Sequence, residues 1–359
     1  MAAPGNKQGA GGRRGTGPSI TDVAREASVS IATVSRVLNT PDLVAAETAE
    51  RVHEAIRSLG YRPNMFAKGL VTRRSRVIGI SLPDIHGEFY SELMQSADEY
   101  ARELGYHLLV GSTAHWRNGE PNAGFALDLI DGLVSMPVGN PEEDLESLVG
   151  SGTPIVVLGR DAGDLPIGSI AFDNTSGARE ATLHLLGATA PGDCFHVGGP
   201  RGNVDSDERA KVFCETLRAS GWTVRDDQVA DGEFSVEWGW SWASSMLDKG
   251  RLKGAAVLAG NDEIAIGVLD AARDNGLRVP DDVRVVGFDD SRLCTLVRPM
   301  LSSVHMPIRQ AGRKAIDAVV SQIENEDCDP KRLRLMTSLV VRQSSSFIDQ
   351  TARRKGAKQ

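Results

Sequence analysis

Beyond residue 76 the chain alternates short apolar runs with amphipathic segments, and this alternation restricts its fold more than any other feature. Residues 77–82 form a nearly unbroken apolar run, a helical pattern follows around 90–104, and a second apolar run covers 106–110. Strand patterns recur at 132–136, 154–158, 169–172, 193–197, 255–258 and 284–288, and helical ones at 176–186, 208–220 and 263–275. Strands separated by helices pair in parallel, and the helices cover the sheet faces. Roughly 270 residues of this texture exceed what one sheet serves, so the expected fold is α/β, with two doubly wound parallel lobes and a cleft between them.

The first 76 residues read differently. Ser19, with Asp22 three places on, can open a helix whose apolar stripe is Ile20, Val23, Ala24 and Ala27. Ser28-Val29-Ser30 interrupts it, and Ser30 can cap a second helix from Ile31, with Val34, Val37 and Leu38 facing inward. Asn39-Thr40-Pro41-Asp42 signals a turn, and a third helix over 46–59 buries Ala49, Val52, Ile56 and Leu59 before Gly60 ends it. This is a helix–turn–helix pattern, in which the second helix enters the major groove and offers its N-terminal side chains to the bases. Here those are Ile31, Ala32, Ser35 and Arg36. Arg36 can take guanine O6 and N7 together, whereas Ile31 and Ala32 read apolar features such as a thymine methyl. Thr33 and Asn39 are placed for phosphate or sugar. Residues 62–76 form a short basic segment in which Gly69 and Val71 weaken any helix begun at Pro63, so it is expected to be helical only when braced.

Charge supports the same division. The formal total of −8 separates into +6 for residues 1–76 and −14 for the remainder. A basic front on an acidic body suits a chain that meets phosphates at one end. Cys194, Cys214, Cys294 and Cys328 are scattered without a C-x-x-C pair, as expected of reduced thiols in a cytoplasmic protein. No apolar run approaches the ~20 residues of a membrane helix, and residues 1–17 lack the apolar core of a secretory signal. The histidines show no metal-ligand spacing, and neither a G-x-S-x-G elbow nor a Walker loop is present. The glycine-rich stretch 198–202 lacks dinucleotide-binding spacing and reads as a turn. No enzymatic activity, metal or cofactor is expected.

The run Ile20-Thr21-Asp22-Val23-Ala24, then Val29-Ser30, then residues 32–39 (ATVSRVLN), resembles the signature of the lactose/galactose repressor (LacI/GalR) family. Gly60-Tyr61-Arg62-Pro63-Asn64, Ala67 and Leu70 are similar to that family's hinge. The likeness continues through Pro83-Asp84-Ile85, Asp173-Asn174, Arg209, Asn261-Asp262 and residues 286–290 (VGFDD). The expected domains are a flexible tail (1–18), a DNA-binding headpiece (19–63), a hinge helix and linker (64–76), a two-lobed effector-binding and dimerisation domain resembling periplasmic binding proteins (77–346), and a basic tail (347–359).

The resemblance implies a homodimeric repressor of a pseudo-palindromic DNA operator, controlled by a small ligand, a carbohydrate by family analogy, in its cleft. It assigns Leu70 to a minor-groove wedge that bends the duplex. In the cleft it places Phe89, Tyr90 and Phe234 as aromatic walls and Arg209, Asn261 and Asp289 as polar contacts, with Arg160 and Asp173 as further candidates. An aromatic wall with a few fixed polar groups suits a polyhydroxylated ligand. Asn261 and Asp289 have an alternative reading as strand-end caps, Phe234 as a core aromatic, and Leu70 as a linker leucine. Three departures stand out: Ala45 replaces a serine cap, residues 112–125 (STAHWRNGEPNAGF) replace a longer helix, and His305-Met306 replace a glutamine–proline pair. The residues after Ser346 carry no leucine heptad, so a dimer is expected. Two other readings are the same DNA-binding role switched by a protein partner, and a solute-binding protein.

Overall fold

The computed structural model describes residues 18–62, 74–112, 129–137, 146, 149–150, 152–325 and 327–346. Residues 63–73, which include most of the expected hinge and Leu70, and the divergent stretch 113–128 lie outside the described residues. The chain divides into two compact units between Ser75 and Arg76.

The first unit contains α1 (Ile20–Glu26), α2 (Ile31–Asn39) and α3 (Ala46–Leu59). Ser19 and Asp22 form a reciprocal capping box: the Ser19 amide donates to Asp22 Oδ2 at 2.9 Å and the Asp22 amide to Ser19 Oγ at 3.4 Å. Ser30 Oγ accepts the Thr33 amide at 3.1 Å and starts α2. Ala45 supplies no side-chain cap to α3, and Gly60 ends that helix in the left-handed region at φ 63°. Val23, Val34, Val37 and Val52 meet in the buried centre, so the apolar stripes read from the sequence are the packed faces.

The second unit holds two six-stranded sheets. The first comprises β1 (Val77–Leu82), β2 (His107–Ser112), β3 (Gly132–Ser135), β4 (Ile155–Gly159), β5 (Gly168–Phe172) and β11 (Arg332–Leu335), in the order β11-β5-β4-β3-β1-β2 and wholly parallel. The second comprises β6 (Cys194–Val197), β7 (Val229–Ala230), β8 (Ala256–Ala259), β9 (Arg284–Asp289), β10 (Ser302–His305) and β12 (Ser338–Val340), in the order β12-β10-β9-β8-β6-β7 with β12 antiparallel. The helices are α4 (Glu88–Glu103), α5 (Asn174–Leu186), α6 (Val204–Ala219), α7 (Val236–Asp248), α8 (Asp262–Asp274), α9 (Leu293–Leu296) and α10 (Ile308–Glu324). Alternate strand residues feed opposite cores. Ala256 and Leu258 pack with Phe213 on one face of the second sheet, while Val257 and Ala259 pack with Ile264 and Val268 on the other.

The chain passes between the lobes three times, at Asp173, at Met306-Pro307 and at Met336-Thr337. The first and third are tied together: the Asp173 amide donates to Leu335 O at 2.9 Å, and Thr337 Oγ1 donates to Asp173 O at 2.7 Å. The departure at His305-Met306 leaves its crossover in place, since β10 lies in the second sheet and β11 in the first. Among the described residues no helix is long and apolar enough to cross a membrane, and no group of metal-ligating side chains is assembled.

Candidate functional site

On α2, Val34 and Val37 are buried while Ile31, Ala32 and Arg36 are exposed. The 3.6-residue period therefore turns the N-terminal side chains named from the sequence toward solvent. Ser35 and Thr33 are half-buried. Thr33 Oγ1 lies 2.9 Å from Ser30 Oγ, and Asn39 Nδ2 donates to Ser35 O at 2.9 Å. These two side chains brace their own helix, whereas Arg36 projects from it.

The cleft lies where strand order reverses. The chain leaves β1 for β2 on one side and β3 on the other, and it repeats this at β6. In open parallel sheets such switch points leave a crevice beyond the carboxyl ends of the strands. Phe89 and Tyr90 follow β1, Gly198-Gly199 follow β6, Gly260-Asn261 follow β8, and Asp289 ends β9. Phe89 meets Tyr90 edge-on at 5.2 Å and Phe172 at 6.2 Å between ring centroids.

Arg209 is buried at the centre. Its Nε donates to Asn174 Oδ1 at 3.0 Å and its Nη1 to Gly260 O at 2.6 Å, and its Nη2 sits 3.3 Å from Met306 Sδ. The guanidinium also lies 3.8 Å above the Phe288 ring. A cation buried this fully is tolerated because three of its five N–H groups are met and an aromatic face lies beneath it. Asn174 Nδ2 in turn donates to Asp205 Oδ1 at 2.6 Å and Glu208 Oε2 at 3.2 Å.

Asp289 is 8% exposed and adopts φ 110°, a region a β-carbon disfavours. Among the described residues no donor meets its carboxylate. Two anchors hold the turn after it: Asp262 Oδ2 accepts the Ser291 amide at 2.7 Å, and Ser303 Oγ accepts the Asp290 amide at 3.0 Å. Ser303 Oγ donates onward to Asp262 Oδ1 at 2.5 Å. Burial pushes the Asp289 carboxyl well above the usual carboxylate range; Arg209 opposes this, and Asp262, Asp205 and Glu263 add to it. Burial raises Asp262 to about 6, against the hydrogen bonds it receives. Tyr90 is raised by burial and then by Asp84, Asp205 and Asp289, carboxylates from both lobes.

The other named residues take mixed positions. Asn261 Oδ1 caps α8 through the Ile264 amide at 2.9 Å, and Asp173 Oδ1 caps α5 through the Ser176 amide at 3.1 Å. Phe234 packs against Gly199, where an added Cβ would fall 2.3 Å from the ring, and it lies beside the core of the second lobe. Arg160 is half-buried just beyond β4. Asn174, Asp205, Glu208, Asp262 and Ser303 were not foreseen as site residues. Asp205 stands in the first turn of a helix, where an acid reads simply as a partner of the helix dipole.

A helix–turn–helix unit preceding a two-lobed, doubly wound domain defines a class of DNA-binding transcriptional regulators. Residues 19–64 match the description "Bacterial regulatory proteins, lacI family" and residues 181–345 match "Periplasmic binding protein-like domain". The chain belongs to the LacI family. It is 32% identical to catabolite control protein A of Priestia megaterium over 335 residues, 91% of this chain and 99% of that one. It is 30% identical to the HTH-type transcriptional regulator DegA of Bacillus subtilis, covering 91% and 98% respectively. Among solved structures it resembles a lac repressor dimer bound to operator and the anti-inducer ONPF, with TM-score 0.80 and 26% identity over 92% of this chain and 100% of that one. It also resembles a complex of the transcriptional regulator CelR with cellobiose, with TM-score 0.67 and 30% identity over 91% and 99%.

Proposed function

We propose that this regulator is a cytoplasmic, homodimeric repressor whose hold on a pseudo-palindromic operator is set by a carbohydrate bound between the lobes. The observation that carries the reading is Asp289, a buried carboxylate on a disfavoured backbone conformation with no donor supplied by the described residues. Sugar hydroxyls donate to such a group, and Arg209, with three of its five N–H groups engaged, retains donors for ligand oxygens. Phe89, Tyr90 and Phe234 supply aromatic faces, and Asn261 keeps its amide nitrogen for the ligand while its oxygen caps α8. The cellobiose bound by CelR and the operator-bound lac repressor dimer support the same assignment.

In the headpiece, Arg36 reads base edges with Ile31, Ala32 and Ser35 beside it, Thr33 and Asn39 support the backbone contact, and Leu70 wedges the central step from a hinge at 64–76. A ligand that bridges both lobes favours one lobe arrangement, and it changes operator affinity by its differential affinity for the two arrangements. Operator selection from a random duplex library, followed by titration with a sugar panel that includes cellobiose, tests this. Arg36→Ala should weaken the selected site about tenfold or more and leave sugar binding unchanged. A protein that selects no site would end the operator reading, and a selected site indifferent to every sugar would move the switch to a protein partner.

A further inference from the structure

Arg76 is the first residue of the second unit, where the chain coming from the headpiece joins it. Several elements of the first lobe hold it. Its amide donates to Oδ2 of Asp131, the residue before β3, at 2.9 Å, and the Asp131 amide donates to Val77 O at 2.8 Å. Its carbonyl accepts the His107 amide of β2 at 2.9 Å. Its guanidinium lies 5.0 Å from the centre of the buried Tyr106 ring, and Nη1 is 3.9 Å from Glu324 at the end of α10. That helix is pressed onto the start of β3, where a Cβ on Gly132 would fall 2.7 Å from Val319. The elements carrying Asp131 and Glu324 are thus packed on one another. Arg76 also takes φ 55°, left-handed backbone that a side chain disfavours. Such a conformation persists where its surroundings fix it, and it is met most often at functional positions.

Resting on the operator reading above, we infer that Arg76 is a positioning residue for DNA binding. With Asp131 it fixes the direction in which the chain leaves the first lobe toward the headpiece, and it does not touch the DNA. An arginine beside a DNA-binding unit suggests a phosphate contact, but this one is spent on Tyr106 and Glu324 of its own lobe. A chain whose exit is fixed loses less freedom when two headpieces engage two half-sites, so the anchor strengthens operator binding without a contact of its own.

Three variants of the full chain test this. Arg76→Gly accepts the positive φ and removes the guanidinium, Asp131→Ala removes the acceptor of the Arg76 amide, and Asp131→Asn keeps an acceptor oxygen. Affinity for the selected operator is measured by fluorescence anisotropy from about 50 to 200 mM salt, with melting temperatures taken alongside. Arg76→Gly and Asp131→Ala should each weaken binding about fivefold or more and leave the slope of log affinity against log salt unchanged. Asp131→Asn should stay within about twofold of the parent. Asp131→Ala separates the two roles by sign, since loss of an acid strengthens a hold on phosphates and loss of the anchor weakens it. A slope that falls by about one for each arginine lost makes Arg76 a phosphate contact and overturns the inference. Unchanged or tighter binding by Asp131→Ala, at an unchanged melting temperature, overturns it as well. If Asp131→Ala melts below the assay temperature, the affinity and slope of Arg76→Gly decide. A parent chain that selects no operator ends the regulator reading and this inference together.

Discussion

At Asp289 the sequence places an acid at the end of a strand, and the fold bends the backbone to φ 110° and buries the carboxyl. Because burial raises its folded-state pKa above the unfolded value, ionisation opposes folding. The group's favourable contribution is complete below the unfolded value near 3.8 and is lost as pH rises through the folded one. Asp289→Asn should therefore raise the melting temperature of the second unit at pH 7.5 by about 3 °C or more. The gain should vanish near pH 4, and sugar binding should fall about tenfold or more. Calorimetric melts at both pH values check the sign; a melting temperature that drops at pH 7.5 contradicts it. Arg209 and Asp289 were legible as polar positions through family likeness. Their physical states were not, because the roles of Asn174, Gly260 and Met306 around Arg209 depend on residues 35 to 97 places away.

Among the elements, α7 and α8 show what local pattern leaves out. A glycine inside a helix reads as a modest weakness, yet Gly267 lets the two helices touch: a Cβ there would fall 2.0 Å from Val236 O and 2.6 Å from Trp240 N. Gly239 answers from the other helix, with Ile264 O 2.0 Å from its added Cβ. Gly267→Ala should force the pair apart and destabilise the second unit by about 2–3 kcal/mol. Urea denaturation measures it, and a midpoint within error of the parent would refute so tight a crossing. The helix patterns at 90–104, 176–186, 208–220 and 263–275 correspond to α4, α5, α6 and α8, each starting one to four residues earlier than read. The differences come from caps such as Asp173, Asn203 and Asn261, whose side chains accept first-turn amides. Among the described residues four strands and three helices went unread: β7 spans two residues, β10 and β12 are short, β11 alternates arginine with leucine, α7 carries three tryptophans without a clear stripe, α9 is a single turn, and α10 follows the second crossover.

Across the whole molecule the cleft belongs wholly to the unit that begins at Arg76. A fragment of residues 74–346 should accordingly bind a given sugar with the affinity of the full chain and show no operator preference. Calorimetry and gel shift compare the two, and a fragment that folds yet loses the sugar would require the headpiece or hinge in the site. Hydrophobic periodicity and cap residues acted within a few positions of one another, so the helix–turn–helix and the alternating α/β texture could be read directly. Family signatures then supplied the class of regulator and the polar positions of the cleft. The tertiary structure alone decided where the chain crosses between the two lobes and which strands each sheet receives. It likewise brought Asp205 and Asp289 into the field of the Arg209 guanidinium. Those arrangements depend on the distance between side chains far apart in the chain, and electrostatic interaction follows that distance in space.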